Sequence, residues 1–332
     1  MTRPTHPPFL RLAFACCVLA AVAASARAAP TTEQRRSAAE RTARSDGNDC
    51  VAARPFYWEI GDAKQALAQG GVGERAPAAD QVMAIASASK WLYASWVLEK
   101  RGGKLGDEDI ELLTFRSGRT HFLTCGRRQN VQDCEGNLLN GRNRVDRKTA
   151  GLFDYNSGHM QHHAMLMGLG PLRGPALAAA IREPLGTSIP ADYTQPLLAG
   201  GATGSAAGYA DFLRRVLSGK LRMREALGTH AVCTNPKTCP QAAGTPIPDS
   251  ESWHYSIGHW VEDDPKTGDG AYSSAGLFGF YPWIDAGKSF YGVLARESRD
   301  GSLSRDPARQ PYVQSVECGR LIRKAWLSGQ PQ

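Results

Sequence analysis

Strand-like segments fall at the two ends of this chain of 332 residues, and helical segments fill its middle. At one end, residues 56–61 and 64–69 read as two strands around a Gly61-Asp62 turn. At the other, residues 254–262, 271–274, 278–284 and 289–295 read as strands, followed by a helix over 312–327 with Tyr312, Val313, Val316, Leu321, Ile322 and Trp326 toward a core. Between them lie helical segments at 107–113, 159–167, 176–183, 206–217 and 223–227, broken by glycines. A sheet drawn from both ends must close over that middle. The expected fold is therefore α+β: one antiparallel sheet from the first and last thirds, flanked by helices, with a helical lobe inserted beside it. A cleft between two lobes is where sites form.

The first 28 residues read as a secretory signal. Arg3 and Arg11 supply the positive flank, residues 12–26 the apolar stretch, and Ala26-Arg27-Ala28 the small-x-small cleavage site. Cys16 and Cys17 lie within the stretch, without a lipobox. Residues 29–49 are polar and lack a stripe of large apolar residues, so a flexible lead is expected, with a single two-lobed domain over 50–330. No transmembrane segment is expected after signal removal. Loss of residues 1–28 removes three arginines and lowers the formal net charge from +7 to +4. That charge is mild, and no basic run is interleaved with aromatics, so no nucleic-acid partner is expected. Six cysteines remain, an even number behind an export signal, which points to disulfides. We expect Cys125–Cys134 and Cys233–Cys239 to close short polar loops and Cys50–Cys318 to join the two ends of the domain. No C-x-x-C pair suggests zinc, and no cofactor is expected.

Ser87-Ala88-Ser89-Lys90 opens a helical segment over 87–101 that carries Trp91, Leu92, Tyr93, Trp96 and Leu98 and stops at Gly102-Gly103. Positions i and i+3 share a helix face, so the lysine amine reaches the serine hydroxyl. A serine is a poor nucleophile until a base takes its proton, and a lysine beside it is an activator. Free N–H groups at a helix start help hold an oxyanion. With 22 serines and 10 lysines, chance alone supplies about one such spacing, so context decides. That context includes Phe153-Asp154-Tyr155-Asn156-Ser157-Gly158 before a helix. A tyrosine facing the ammonium is expected as a phenolate general base; the alternative is a half-buried core aromatic. His159 and His163 stand one helical turn apart near His162, but no H-E-x-x-H or carboxylate accompanies them, and no metal site is expected.

In this arrangement the chain resembles the serine β-lactamase-related hydrolases: class C β-lactamases, D-Ala-D-Ala carboxypeptidases, family VIII esterases and 6-aminohexanoate-dimer hydrolases. The resemblance covers about residues 55–300. Ser-Ala-Ser-Lys at 87–90 matches the S-x-S-K motif, and Tyr155-Asn156-Ser157 the Y-x-N/S motif. Leu112-Leu113-Thr114-Phe115-Arg116-Ser117-Gly118, Arg182-Glu183-Pro184-Leu185-Gly186 and Ala199-Gly200-Gly201 resemble further family segments in the same order. The family's third motif, K-T-G or H-T-G, has two candidates. Lys266-Thr267-Gly268 is literal but lies in hairpin-turn chemistry. Ser274-Ala275-Gly276, followed by a run ending in Trp283-Ile284-Asp285, has the family's spacing and is preferred.

The resemblance implies a penicillin-binding-protein-like fold, catalysis by Ser87, Lys90 and Tyr155, and an oxyanion hole from the N–H groups of Ser87 and Leu277. It makes Ser157 a small hydrogen-bond partner of substrate and Lys90. Ser274 is neutral and cannot pair a carboxylate by charge. That favours esters or neutral amides, with Arg296 a candidate to restore a cation. The expected protein is a periplasmic or secreted serine hydrolase acting through an acyl-serine on a small-molecule ester, amide or peptide. The alternatives are a β-lactamase or cell-wall D,D-peptidase and, from another class, an inactive binding protein of the same fold. Trp91, Tyr93, Phe278, Phe280 and Trp283 are candidates for an apolar acyl pocket, or for core.

Overall fold

The computed structural model describes residues 1–2, 29–189 and 191–332. The signal-peptide reading of residues 1–28 thus falls outside the described residues, Met1 and Thr2 excepted. Strands β1 (Phe56–Gly61) and β2 (Ala66–Val72) come first. Short strands β3 (Met83–Ala84), β4 (Phe153–Asp154), β5 (Asp192–Tyr193), β6 (Ala202–Gly204), β7 (Val232–Cys233) and β8 (Ala242–Gly244) punctuate the middle. Strands β9 (His254–Tyr255), β10 (Trp260–Glu262), β11 (Ala271–Ser273), β12 (Tyr281–Ile284) and β13 (Tyr291–Ala295) follow. The main sheet runs β2-β1-β13-β12-β11-β10-β9-β7, antiparallel throughout. The two ends of the chain meet at β1 and β13, with Tyr57 opposite Ala295 and Gly61 opposite Tyr291.

Among the described residues, ten α-helices accompany the strands: α1 (Thr32–Arg44), α2 (Cys50–Ala53), α3 (Ser89–Lys100), α4 (Asp107–Leu113), α5 (Val131–Glu135), α6 (Gly158–Leu166), α7 (Gly174–Leu185), α8 (Ala206–Leu217), α9 (Met223–Ala226) and α10 (Pro311–Ser328). Helix α10 packs on β12 and β13 and is covered by α1; α8 also packs against β1 and β13. Helices α3 to α7 form the inserted lobe, with α3 against α7, and α4 and α5 against α6. Helix α3 is buried on every side from Ser89 to Leu98, as a helix must be when no polar face is left to meet water. None of the described helices is long and apolar enough to cross a membrane.

One expectation is corrected. Residues 29–49 are not a flexible lead, because 32–44 form α1. A capping box between Thr31 and Gln34 starts it. Its buried face is made of Ala38, Ala39, Thr42 and Ala43, small residues that let two helices approach closely but leave no stripe of large apolar side chains to read. Arg35, on α1, donates to the carbonyls of Pro30 and Trp326. The strand expected over 254–262 is also broken into β9 and β10. Gly258 stands between them at φ +69, and a Cβ there would meet Ala94 and, at 2.9 Å, the Lys90 carbonyl. The missing side chain lets this turn sit against α3.

Three disulfides cross-link the fold: Cys50–Cys318, Cys125–Cys134 and Cys233–Cys239. The first spans 268 residues and ties α2 to α10; the last spans 6. Loop-closure entropy predicts that replacing Cys50 and Cys318 together by alanine costs roughly 5 kcal/mol, against roughly 2 kcal/mol for Cys233 and Cys239. Urea midpoints of the two double variants check this ordering, and equal losses would contradict it.

Candidate active site

The site is built where α3 meets the sheet. Before it, Ile85 N–H donates to Ala202 O at 3.2 Å, and Ala86 is turned to φ +43, a left-handed conformation costly for a residue with a Cβ. Residues 86–88 then form one 3-10 turn before the α-helix starts at Ser89, so the expected helix over 87–101 begins tighter than predicted. The turn is held from several sides. Ser89 Oγ donates to Ala86 O at 2.6 Å, Tyr209 OH to Ala88 O at 2.8 Å, and Ser274 Oγ to Ser87 O at 2.9 Å. The strained backbone carries Ser87 toward the cleft, where it is half-buried while its neighbours Ala86 and Ala88 are buried.

Lys90 lies one helical turn on and is 3% exposed. Its Nζ donates to Ser87 Oγ at 2.9 Å and to Ala199 O at 2.8 Å. No carboxylate is bonded to it among the described residues. Burial therefore lowers its pKa from 10.5 to about 7, so neutral amine is abundant near neutrality.

Tyr155 comes from the loop after β4, held by its N–H to Gly244 O at 3.0 Å. Its ring stacks on Trp260 at 5.1 Å, and Lys90 Nζ stands 4.8 Å over the ring centroid. Burial raises the phenol pKa above its usual 10, while the nearby side chains of Ser87 and Trp260 pull it down without winning. The expected ammonium–phenolate pair is thus replaced by a near-neutral lysine and a neutral phenol. The amine faces the tyrosine ring rather than an oxyanion, and burial disfavours both charges.

Ser274 and Gly276 lie after β11, beside Ser87. A Cβ at Gly276 would collide with Ile85 O, so only glycine lets this segment close on the turn that carries Ser87. Gly276 N–H donates to Phe280 O at 2.7 Å. The Leu277 N–H, in the turn that follows, enters no hydrogen bond among the described residues, and Leu277 lines the same cleft as Ser87. Lys266-Thr267-Gly268 is a hairpin turn between β10 and β11, organised by Asp264, which accepts from the N–H groups of Lys266 and Thr267 at 2.9 Å each. Ser157 occupies the N-cap position of α6 without a side-chain capping bond and, among the described residues, does not bond Lys90. Asn156 does the local work, donating to Thr120 O at 3.0 Å and accepting from Gly158 N–H.

A cleft of about 610 Å³ opens on Ser87. Its walls include Pro246, Ile247 and Pro248, Trp253 and Trp260, Leu277, and the α10 residues Tyr312, Val313 and Val316. Sequence reasoning missed this wall. The α10 residues looked like core, and Trp253 and Trp260 lie at strand ends whose pairing is long-range. Of the aromatics named as pocket candidates, Trp91, Tyr93, Phe280 and Trp283 are buried and outside the cleft lining. Phe278 lies under the Arg299 guanidinium at 4.4 Å. Arg296 does not restore a cation. It is buried and donates to Ala52 O and Gln314 Oε1, both at 3.2 Å. The three histidines are engaged separately: His159 with Ser117 at 2.7 Å, His162 with Glu135 at 2.5 Å, and His163 with Asp109 at 2.8 Å.

Comparison with solved structures identifies the fold. The chain is similar to a β-lactamase from Mycobacterium bovis (TM-score 0.54, 15% identity, covering 82% of this chain and 96% of that one). It is also similar to the D-amino acid amidase of Ochrobactrum anthropi (0.55, 12%, 88% and 99%) and to FmtA of Staphylococcus aureus (0.59, 13%, 92% and 90%). No family model matches the sequence, and no curated protein does. The chain has the serine β-lactamase/penicillin-binding-protein fold.

The buried lysine also leaves a mark on stability. Its folded pKa of about 7 lies below its unfolded 10.5, so the unfolded chain binds more protons between these values. This group's contribution makes stability rise with pH across that window and is least favourable below pH 7. Lys90→Met is expected to raise the melting temperature most at pH 6–7 and to flatten its rise toward pH 9.5. Calorimetry of both proteins across this range checks it; a destabilised variant with an unchanged slope would contradict it.

Proposed function

We propose that the protein is an exported serine hydrolase that cleaves ester or amide bonds through an acyl-serine intermediate. The observation that carries this is the 2.9 Å bond between the half-buried Ser87 hydroxyl and a buried lysine near neutrality. Neutral Lys90 takes the Ser87 proton as Oγ attacks the substrate carbonyl. The N–H groups of Ser87 and Leu277 receive the oxyanion. Tyr155, a neutral phenol, passes a proton to the leaving oxygen or nitrogen and is reprotonated from Lys90. Water then attacks the acyl-enzyme, its proton going to the same base, and the acid leaves with Ser87 restored.

This assigns the base to Lys90 and proton delivery to Tyr155. The neutral Ser274 supports esters and neutral amides over carboxylate-bearing β-lactams and D-Ala-D-Ala peptides. Three disulfides support an oxidising compartment, periplasmic or external.

Turnover of p-nitrophenyl esters is expected to vanish in Ser87→Ala, and mass spectrometry to find the acyl group on Ser87 of the native protein. A chromogenic cephalosporin turned over faster than the esters would move the reading to a β-lactamase; no turnover and no adduct would leave a binding protein. Tyr155→Phe should lower acylation roughly 10²–10⁴-fold, and a near-native rate would remove Tyr155 from the mechanism. Because the neutral amine is the active form, kcat/KM should rise through pH of about 7 and level above it. A flat profile between pH 5 and 9 would be inconsistent with a lysine base.

A further inference from the structure

Glu317 lines the cleft from α10, next in sequence to Val316 and Cys318. It is half-buried and has no hydrogen bond or ion pair among the described residues. The other acids nearby are engaged. Glu251 accepts both Arg320 guanidinium nitrogens, at 3.1 and 2.7 Å, and the Trp253 indole N–H at 2.6 Å. Glu262, behind the wall, is held by Arg320 and Arg323 at 3.1 and 2.9 Å. Arg320 is the one arginine or lysine among the lining residues, and Glu251 already neutralises it. The lining therefore carries one uncompensated negative charge, beside walls of Ile247, Trp260, Val313 and Val316 that keep water back and lengthen its reach. Burial and the charges of Asp49 and Glu251 push the Glu317 carboxyl up, with only Arg320 opposing them. A group in that position is stabilised by a cation and repels an anion.

We infer that the cleft selects substrates carrying a cationic group, an ammonium or a guanidinium, set apart from the scissile carbonyl by an apolar spacer that lies along Val313 and Val316. The inference rests on the hydrolase reading and names the substrate class of that same site. Glu317 is the specificity-determining residue: the cation pairs with its carboxylate while the spacer covers the apolar wall.

The test uses three p-nitrophenyl esters with the same spacer of five methylenes, ending in a trimethylammonium group, in its neutral tert-butyl isostere, or in a carboxylate. In the native protein the carboxylate ester should be the poorest. Glu317→Gln should lower the ratio of kcat/KM for the cationic over the neutral ester by roughly tenfold, and Glu317→Asp should keep most of it. In the native protein that ratio should also fall as salt rises from about 20 to about 500 mM, which needs no variant. A ratio unmoved by both Glu317→Gln and salt, or a preference for the carboxylate ester, would overturn the inference while leaving the hydrolase reading intact. Binding of the corresponding primary amides to Ser87→Ala, followed by tryptophan fluorescence, reads the same preference without turnover. A cation preference there that disappears with Glu317→Gln, in a native protein that hydrolyses nothing, would sink the hydrolase reading alone.

Discussion

A lysine amine buried in an apolar helix governs this structure. Ser89 to Leu98 is buried all round, and among the described residues no carboxylate is bonded to Lys90 to hold its proton. Its partners there are a serine oxygen and a backbone carbonyl. A solvated lysine near pH 7 is protonated, and burial disfavours that charge. The fold supplies the burial. Helix α3 is enclosed by α7, by the turn at Gly258, and by the aromatic group of Tyr155, Tyr255 and Trp260.

The sheet explains why the cleft walls are far in sequence from Ser87. Pairing of β1 with β13 brings the two ends of the chain together, and α10 lies across β12 and β13 with its cleft-facing side beside the turn after Gly276. The Cys50–Cys318 bond fixes that helix one residue from Glu317. One cross-link between the ends thus steadies both the fold and the cleft wall on α10. Helix α1, packed against α10 from outside, adds to the same effect.

Local chemistry was legible in the sequence, and surfaces made by long-range packing were not. Ser87 and Lys90 could be paired because one helical turn fixes their distance, and Ser274 could be preferred to Lys266 because turn residues announce a hairpin. Tyr155 could be placed near them only through the resemblance, since nothing local brings β4 to α3. Helix α1 was missed because its buried face is alanine. The cleft wall was missed because Val313 and Val316 have the same periodicity whether they face core or substrate. The protonation states were misjudged for a related reason: two residues that can exchange a proton suggest an ion pair, and only the packing shows that burial lowers the lysine pKa and raises the phenol pKa.

The central claim is that Lys90 is a near-neutral amine in the resting protein. The most direct measurement is its own titration, by NMR of protein labelled at lysine Cε, with the resonance assigned by its loss in Lys90→Met. A midpoint near pH 7 is expected, well below that of the other lysines. A resonance that titrates with them above pH 10 would mean that the amine is charged at neutral pH, and the account of the site would fail.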